Sequence, residues 1–327
     1  MKSVLGFYYI NAPHSILNNA GSDEGARTDN CVIVKKIKKG RESYVYVSPQ
    51  AFRYWFRNSL KNEKGWNLSP ITRDKKIAFT EVNPVEYEDD DMFGYMKTEG
   101  GTVTRISPFK CSPLISVFPE RIVNDYAVMS RHEGDPVPYE YEFYSTVLKG
   151  IFAIDVDNSG YFIKKEKAGY KNISEDFLKK YKDNGNVEKV EDGIKLKKEE
   201  KVKRIKDMIE VIPYLTGGAK ETTHLTDIVP RFIILLAING GNHILMDIAK
   251  TDGENATINI NAFKEMLNDY DDRILTNIYI GIADGFNDKL KEELLVLSKD
   301  FTKKKMIVST VKDACFNFSK EIENIVD

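Results

Sequence analysis

The sequence predicts an α+β fold: a ferredoxin-like arrangement of strands and helices, opened by large insertions. Three observations predict it. An apolar strand segment at residues 3–11 is followed, after a strand pair, by an amphipathic helix beginning at Ser48. A β-branched and aromatic stretch, Tyr139 to Asp157, precedes lysine-rich helical sequence and then further apolar strand sequence, and the C-terminal part alternates helix, strand and helix. The segments between these elements have loop composition and no long periodicity, as insertions do.

Taken in order, residues 1–61 supply the first part of the sheet-bearing unit. Residues 3–11 read as a strand ending at Asn11-Ala12-Pro13, and a polar, glycine-containing loop runs from His14 to Asn30. CVIVKKI and YVYV within 31–47 read as paired strands turning at Lys39-Gly40. Ser48-Pro49 opens a helix to about Leu60, because serine caps a helix N-terminus and proline suits its first position. Residues 62–138, rich in Gly, Pro, Asp and aromatics, read as a fingers-like insertion of short strands and loops. Residues 139–160 return to the sheet and turn at Asn158-Ser159-Gly160. Residues 161–206 read as a helical, lysine-rich insertion, and 207–230 as a polar hairpin around Gly217-Gly218. Residues 231–327 complete the sheet with strands at Arg231–Ala237, His243–Ile248 and 274–282 and helices at 261–269, about 286–299 and 308–325.

Composition narrows the function. The 327 residues are 42% hydrophobic, enough for a full core, and the run Val4 to Ile10 is too short to span a membrane. Three scattered cysteines, Cys31, Cys111 and Cys315, form no CxxC pair, which fits a reducing, cytoplasmic setting. The four histidines, His14, His132, His224 and His243, stand in no metal-ligand spacing, so no cofactor or metal is expected. Acidic runs at Asp89-Asp90-Asp91 and Asp269 to Asp272 read as solvated loops. Net charge is −2, but its distribution is uneven: residues 31–61 carry a local +7, residues 160–206 a local +6, and residues 84–100 a local −5. Such blocks suit a polyanion on one surface and a basic neighbour on another.

Candidate contacts follow from these blocks. At 100° per residue, Gln50, Arg53, Arg57 and Lys61 share one stripe of the helix SPQAFRYWFRNSL, with Phe52, Trp55, Phe56 and Ser59 opposite and no acid on the stripe. A guanidinium row of this spacing can follow phosphates in two-point contacts. The loop LNNAGSDEGART offers amides, glycines and Arg27 for wrapping a phosphate, without a P-loop pattern. In YLTGGAKETTHL, two glycines permit close backbone approach beside lysine, threonine and histidine donors, and a protruding hairpin there would wedge between nucleotides. Taken singly, each feature also reads as ordinary structure: solvated arginines, a solvated turn, a strand connection. An enzymatic alternative also stands, a metal-independent endoribonuclease processing precursor RNA, built on His14 with Tyr8 and Tyr9.

The run LNNAGSDEGART followed by YVYVSPQAFRYWFRNSL, with TGGAKETTHLTDIVPRFIILLAINGGNH later, resembles the DevR-type CRISPR-associated family of the RAMP superfamily, the backbone subunits of type I-B Cascade. The resemblance is sharpest over 17–61 and 212–243. It implies an RRM-like palm, a fingers insertion and a protruding thumb hairpin, in a subunit that stacks in several copies on one CRISPR RNA. The partners it implies are that guide, target DNA reached through the guide, other copies and other Cascade subunits, with cleavage left to partners. Residue by residue, it implies RNA contacts at Asn18, Asn19 and Arg27, at Gln50, Arg53 and Arg57, and at Gly217, Gly218, Ala219 and Lys220 with Thr222, Thr223 and His224. The aromatic motifs of an ordinary RRM sheet are missing, so stacking on sheet aromatics is not implied.

Overall fold

The computed structural model describes residues 1–21, 31–74, 77–98, 102–131, 133–165, 171–301 and 304–327. Its centre is β1 (Lys2–Ser15), in which Val4 to Ile10 are all buried. A strand buried on both faces needs partners on both edges. β1 pairs antiparallel with β7 (Val137–Asp155) on one side and β8 (Pro230–Asn239) on the other. The other strands of the path are β3 (Lys36–Lys39), β4 (Glu42–Val47), β5 (Leu114–Ser116), β9 (Ile278–Ile282) and β10 (Met306–Ser309). The sheet runs β10-β9-β8-β1-β7-β5-β4-β3, with β9 and β10 parallel. Two side strands, β2 (Cys31–Val34) and β6 (Val123–Met129), pair with the outer half of β7. Glycines make room for aromatic partners across this ladder. Gly6 faces Phe152 and Gly150 faces Tyr8, and a Cβ at either glycine would stand 2.1 or 2.4 Å from the opposing ring.

Alternation on β1 divides the core in two. Val4, Tyr8 and Ile10 face α1 (Pro49–Lys64), α3 (Lys198–Glu210) and α6 (Val311–Ser319). Leu5, Phe7 and Tyr9 face α4 (Ile260–Asp269) and α5 (Asp288–Asp300). Both faces of the central sheet are therefore covered. Among the described residues no helix is long and apolar enough to cross a membrane.

Several expectations are corrected here. Residues 207–230 form no hairpin; they hold a 3₁₀ turn at Ile212–Tyr214 and a short helix at Glu221–His224. The protruding antiparallel ribbon is instead β6 with the outer half of β7, where Tyr126, Val128 and Met129 are exposed. Segment 243–248 is a turn, because the His243 ring bonds to the Phe152 carbonyl at 2.9 Å while Leu245 and Ile248 drop into the core without a ladder. The region 161–206 contains a three-stranded sheet besides its helices. The C-terminal helix is broken, since β10 occupies 306–309 and α6 starts only at Val311.

The largest correction concerns Asp89-Asp90-Asp91. These lie on α2 (Glu88–Phe93) and are buried, so three of the six acids of residues 84–100 lie inside the protein. Asp91 bridges two arginines that are each 2% exposed at the side chain, Arg105 and Arg204. Arg204 also donates to the Pro84 and Val85 carbonyls at 2.7 and 2.9 Å, and Arg105 to Tyr161 and Asn158 carbonyls at 2.9 and 2.8 Å. A buried charge survives only when paired and hydrogen-bonded, and here one carboxylate joins the insertion, the turn after β7 and α3. Asp91→Ala leaves two buried guanidinium groups short of their anion. It is expected to cost about 3–5 kcal/mol in urea denaturation; a loss below about 1 kcal/mol would show that the cluster does not hold these elements together.

Candidate nucleic-acid interface

Helix α1 is capped as its sequence requires. The Ser48 hydroxyl accepts from Ala51 N at 3.4 Å, Pro49 starts the first turn, and Gly65 ends the helix at φ 68°. Phe52, Trp55, Phe56, Ser59 and Leu60 form the buried face, as the periodicity predicts. The outer stripe differs from expectation. Gln50 and Lys61 are exposed, but Arg53 donates to the Phe109 and Phe93 carbonyls, both at 2.6 Å, and lies against both rings. Arg57 stands over Phe93 with its Nε 3.4 Å from Asp89 Oδ2. The helix itself carries no neutralising acid, but the insertion brings one. The guanidinium row is thus a clamp between α1 and residues 89–109, and the expectation of an unpaired phosphate-binding row is withdrawn. Tyr54, 59% exposed, lies on the same outer stripe as Gln50 and Lys61 and was not singled out from the sequence.

The amide loop divides by role. Asn18 Oδ1 accepts the Ser48 backbone N–H at 3.0 Å, and its carbonyl accepts Lys35 N at 3.3 Å, so Asn18 ties the strand end to the helix start. Its side-chain oxygen is spent on that bond. Asn19 is exposed. Arg27 lies outside the described residues.

The glycine segment reaches the same place from the other end of the chain. Gly217 and Gly218 have φ of 146° and 126°, and a Cβ on Gly217 would stand 2.4 Å from the Trp55 side chain. Only glycine allows this approach. Ala219 N donates to the Leu17 carbonyl at 3.1 Å, docking the segment beside the end of β1. Gly217 and Gly218 therefore form a close-packed joint, in place of the wedge expected at a hairpin tip. Beyond the joint, Lys220, Thr222 and Thr223 are exposed, and the His224 ring bonds to the His14 carbonyl.

Around this junction lies the basic hairpin β3–β4. Lys36 pairs with Glu142, but Lys35, Lys38, Lys39 and Arg41 have no carboxylate at ion-pair distance among the described residues. In the second basic block Lys164, Lys179, Lys189, Lys195, Lys203 and Lys206 each pair with an acid, while Lys165, Lys180, Lys182, Lys197, Lys198 and Lys201 have no carboxylate at ion-pair distance among the described residues. Lys35 and the exposed amides of Asn19 and Gln50 lie by the start of α1, Lys38, Lys39 and Arg41 stand at the far turn of the hairpin, and Lys220 lies against Tyr139 and Tyr141. Such a set suits phosphate and sugar contacts. The constellation of His14 with Tyr8 and Tyr9 does not form: alternation sends the two tyrosines to opposite faces of the sheet, and both are buried.

Comparisons with known proteins bear on this geometry. A family model described as CRISPR-associated negative auto-regulator DevR/Csa2 matches residues 17–240, more than half of the chain. A solved chain of a "CRISPR RNA-guided surveillance complex, pre-nicking" is similar with TM-score 0.57 and 9% identity, covering 98% of this chain and 100% of that one. At that identity the likeness is one of fold. Another, from a "CRISPR RNA-guided surveillance complex", has TM-score 0.49 and 11% identity, covering 88% and 91%. No curated protein sequence matches.

The Arg57–Asp89 contact carries a pH signature. Burial pushes the Asp89 carboxyl up to about 6, against a bond from Ser69 N that favours the charged form, and burial pushes Asp90 in the same direction. The folded state thus holds the Asp89 proton more tightly than the unfolded chain, whose carboxyl titrates near about 4. Asp89's contribution to stability is therefore largest below about pH 4 and falls as pH rises towards 6. Relative to wild type, Asp89→Asn is expected to gain on the order of 2 kcal/mol between pH 4 and pH 7 in denaturation series. A pH-independent difference between the two proteins would refute the shift.

Proposed function

The chain belongs to the CRISPR-associated DevR/Csa2 family, and from that premise we propose that it is a non-catalytic subunit gripping the backbone of CRISPR RNA. In this reading several copies assemble along one guide in a cytoplasmic, type I-B Cascade-like surveillance complex. Other Cascade subunits are its partners, and target DNA is met through the exposed guide. The observation that carries the reading is the set of cations on the basic hairpin, Lys35, Lys38, Lys39 and Arg41, with no carboxylate at ion-pair distance among the described residues. A subunit that must accept any guide needs phosphate and sugar contacts and leaves base identity to pairing.

The topology supports a ferredoxin-like palm. The succession β1, α1, β5, β7, α3, β8 with spatial order β8-β1-β7-β5 is the split βαβ arrangement of that fold. The ribbon of β6 and outer β7 takes the place of the thumb, and residues 62–122 the place of the fingers. Two findings favour binding without cleavage: Tyr8 and Tyr9 are buried on opposite faces, and Tyr9's hydroxyl is spent on the Thr257 carbonyl at 2.6 Å.

The test is the salt dependence of single-stranded RNA binding. Each phosphate neutralised contributes roughly 0.7 to the slope of log K against log salt. Lys38→Ala/Lys39→Ala/Arg41→Ala is expected to lower the slope by about 2 and weaken binding uniformly across RNA sequences. Unchanged slope and affinity would remove the hairpin from the interface. Metal-independent cleavage of repeat RNA, abolished by His14→Ala, would overturn the non-catalytic reading.

A further inference from the structure

The outer half of β7 reads Tyr139-Glu140-Tyr141-Glu142-Phe143, which places three aromatic rings on one face of the ribbon and two buried glutamates on the other. Tyr139 and Tyr141 lie nearly parallel, 6.1 Å apart with 19° between their planes. The segment after the glycine joint crosses this face. Lys220 Nζ stands 5.0 Å from the Tyr141 ring centre and 5.7 Å from that of Tyr139. His224 meets Tyr141 edge-on at 5.8 Å, and His14 lies against Phe143 at 5.9 Å. The rings are half-buried, in a protein that buries Phe7, Phe52, Phe56 and Phe109 completely.

The backbone here is unusual as well. Among the described residues four non-glycines have left-handed backbone, and three of them, His14, Lys220 and Leu225, belong to this cluster. Such conformations cost energy and persist where the surroundings enforce them. A row of planar rings with an ammonium group over it suits an unstacked base joined to a phosphate, the base taking the ring face and the phosphate the ammonium. Aromatic faces accept any base, which suits a protein indifferent to guide sequence.

We propose that Tyr139, Tyr141 and Phe143 form a stacking platform for an unpaired base of single-stranded RNA, with Lys220 pairing to the adjoining phosphate. This rests on the RNA-binding reading and names a contact that reading does not contain. Lys220, lying over the tyrosines in the free protein, swings from ring to phosphate as the base arrives.

The experiment uses the full chain, purified free of nucleic acid, and two single-stranded RNAs of equal length and charge, one carrying bases and one abasic. Tyr139→Leu/Tyr141→Leu is expected to weaken binding of the base-bearing RNA on the order of tenfold with an unchanged salt slope. The same variant should bind abasic RNA as wild type does, and Tyr139→Phe/Tyr141→Phe should retain full affinity. Equal losses on both RNAs would show that the rings only hold Lys220 in place, and no loss on either would remove them from the interface; both results overturn the platform. If the wild-type chain binds neither RNA, the guide-binding reading falls, and the platform with it.

Discussion

The structure depends on a short acidic helix placed out of water. Asp89 reaches Arg57 on α1, and Asp91 reaches Arg105 in the insertion and Arg204 on α3, so one turn of helix neutralises cations from three separate regions. The arrangement tolerates burial because backbone N–H groups reach its carboxylates, although Arg57 Nε and Asp90 Oδ1 are buried without a hydrogen-bond partner among the described residues. Ser69 N and Asn83 N fill the outer oxygens of Asp89 and Asp90 at 2.8 Å each, and Gly160 N meets Asp91 at 3.1 Å. Without those bonds the desolvation cost of three adjacent carboxylates would expel the helix to the surface. With them, the insertion is fastened to the sheet unit, and α1 is held by its outer side as well as its apolar side.

That fastening decides where a polyanion can be met. Arg53 and Arg57 are the densest cations on α1, yet their heads are committed to carbonyls, rings and Asp89. The central sheet offers nothing in exchange. An open RRM-type sheet would present Phe7, Tyr9 and Phe232 to bases, but α4 and α5 bury all three. What is left open is the periphery: the basic β3–β4 hairpin at the sheet edge, the exposed first turn of α1, and the ribbon that extends beyond the covered core.

The sequence made the local elements legible and the partnerships between them much less so. Ser48-Pro49 and the period of Phe52, Trp55 and Phe56 define α1 without reference to anything distant, because capping and amphipathicity are properties of a dozen residues. The hairpin turn at Gly40 was legible for the same reason. The fate of the arginine stripe was not, since Asp89 lies 32 residues further on, in a segment whose composition resembles a loop. Gly217-Gly218 was recognised as a close-approach site, but the sequence did not say what approaches; the answer, Trp55, sits on another element. The ladder of Tyr139, Tyr141 and Phe143 was readable in principle as a period of two, with aromatic and acidic residues alternating.

Charge makes the same point quantitatively. A total of −2 says little about nucleic acid, and two basic blocks of similar excess look equivalent in the sequence. Folding treats them residue by residue. Within 160–206 Lys164, Lys189 and Lys195 meet acids in exposed pairs screened by solvent, while Lys165, Lys180, Lys182, Lys197, Lys198 and Lys201 have no such partner among the described residues. Within 31–61 the one acid, Glu42, sits in the hairpin and binds the Tyr44 hydroxyl at 2.9 Å, and Asp89, Asp90 and Asp91 are buried in α2. The surface potential that would steer an RNA is thus what remains after internal pairing. It includes the far turn of the β3–β4 hairpin, at Lys38, Lys39 and Arg41. Asp89 and Asp91 serve cohesion inside the clamp, while Lys35, Lys38, Lys39 and Arg41 on the hairpin keep no carboxylate partner among the described residues.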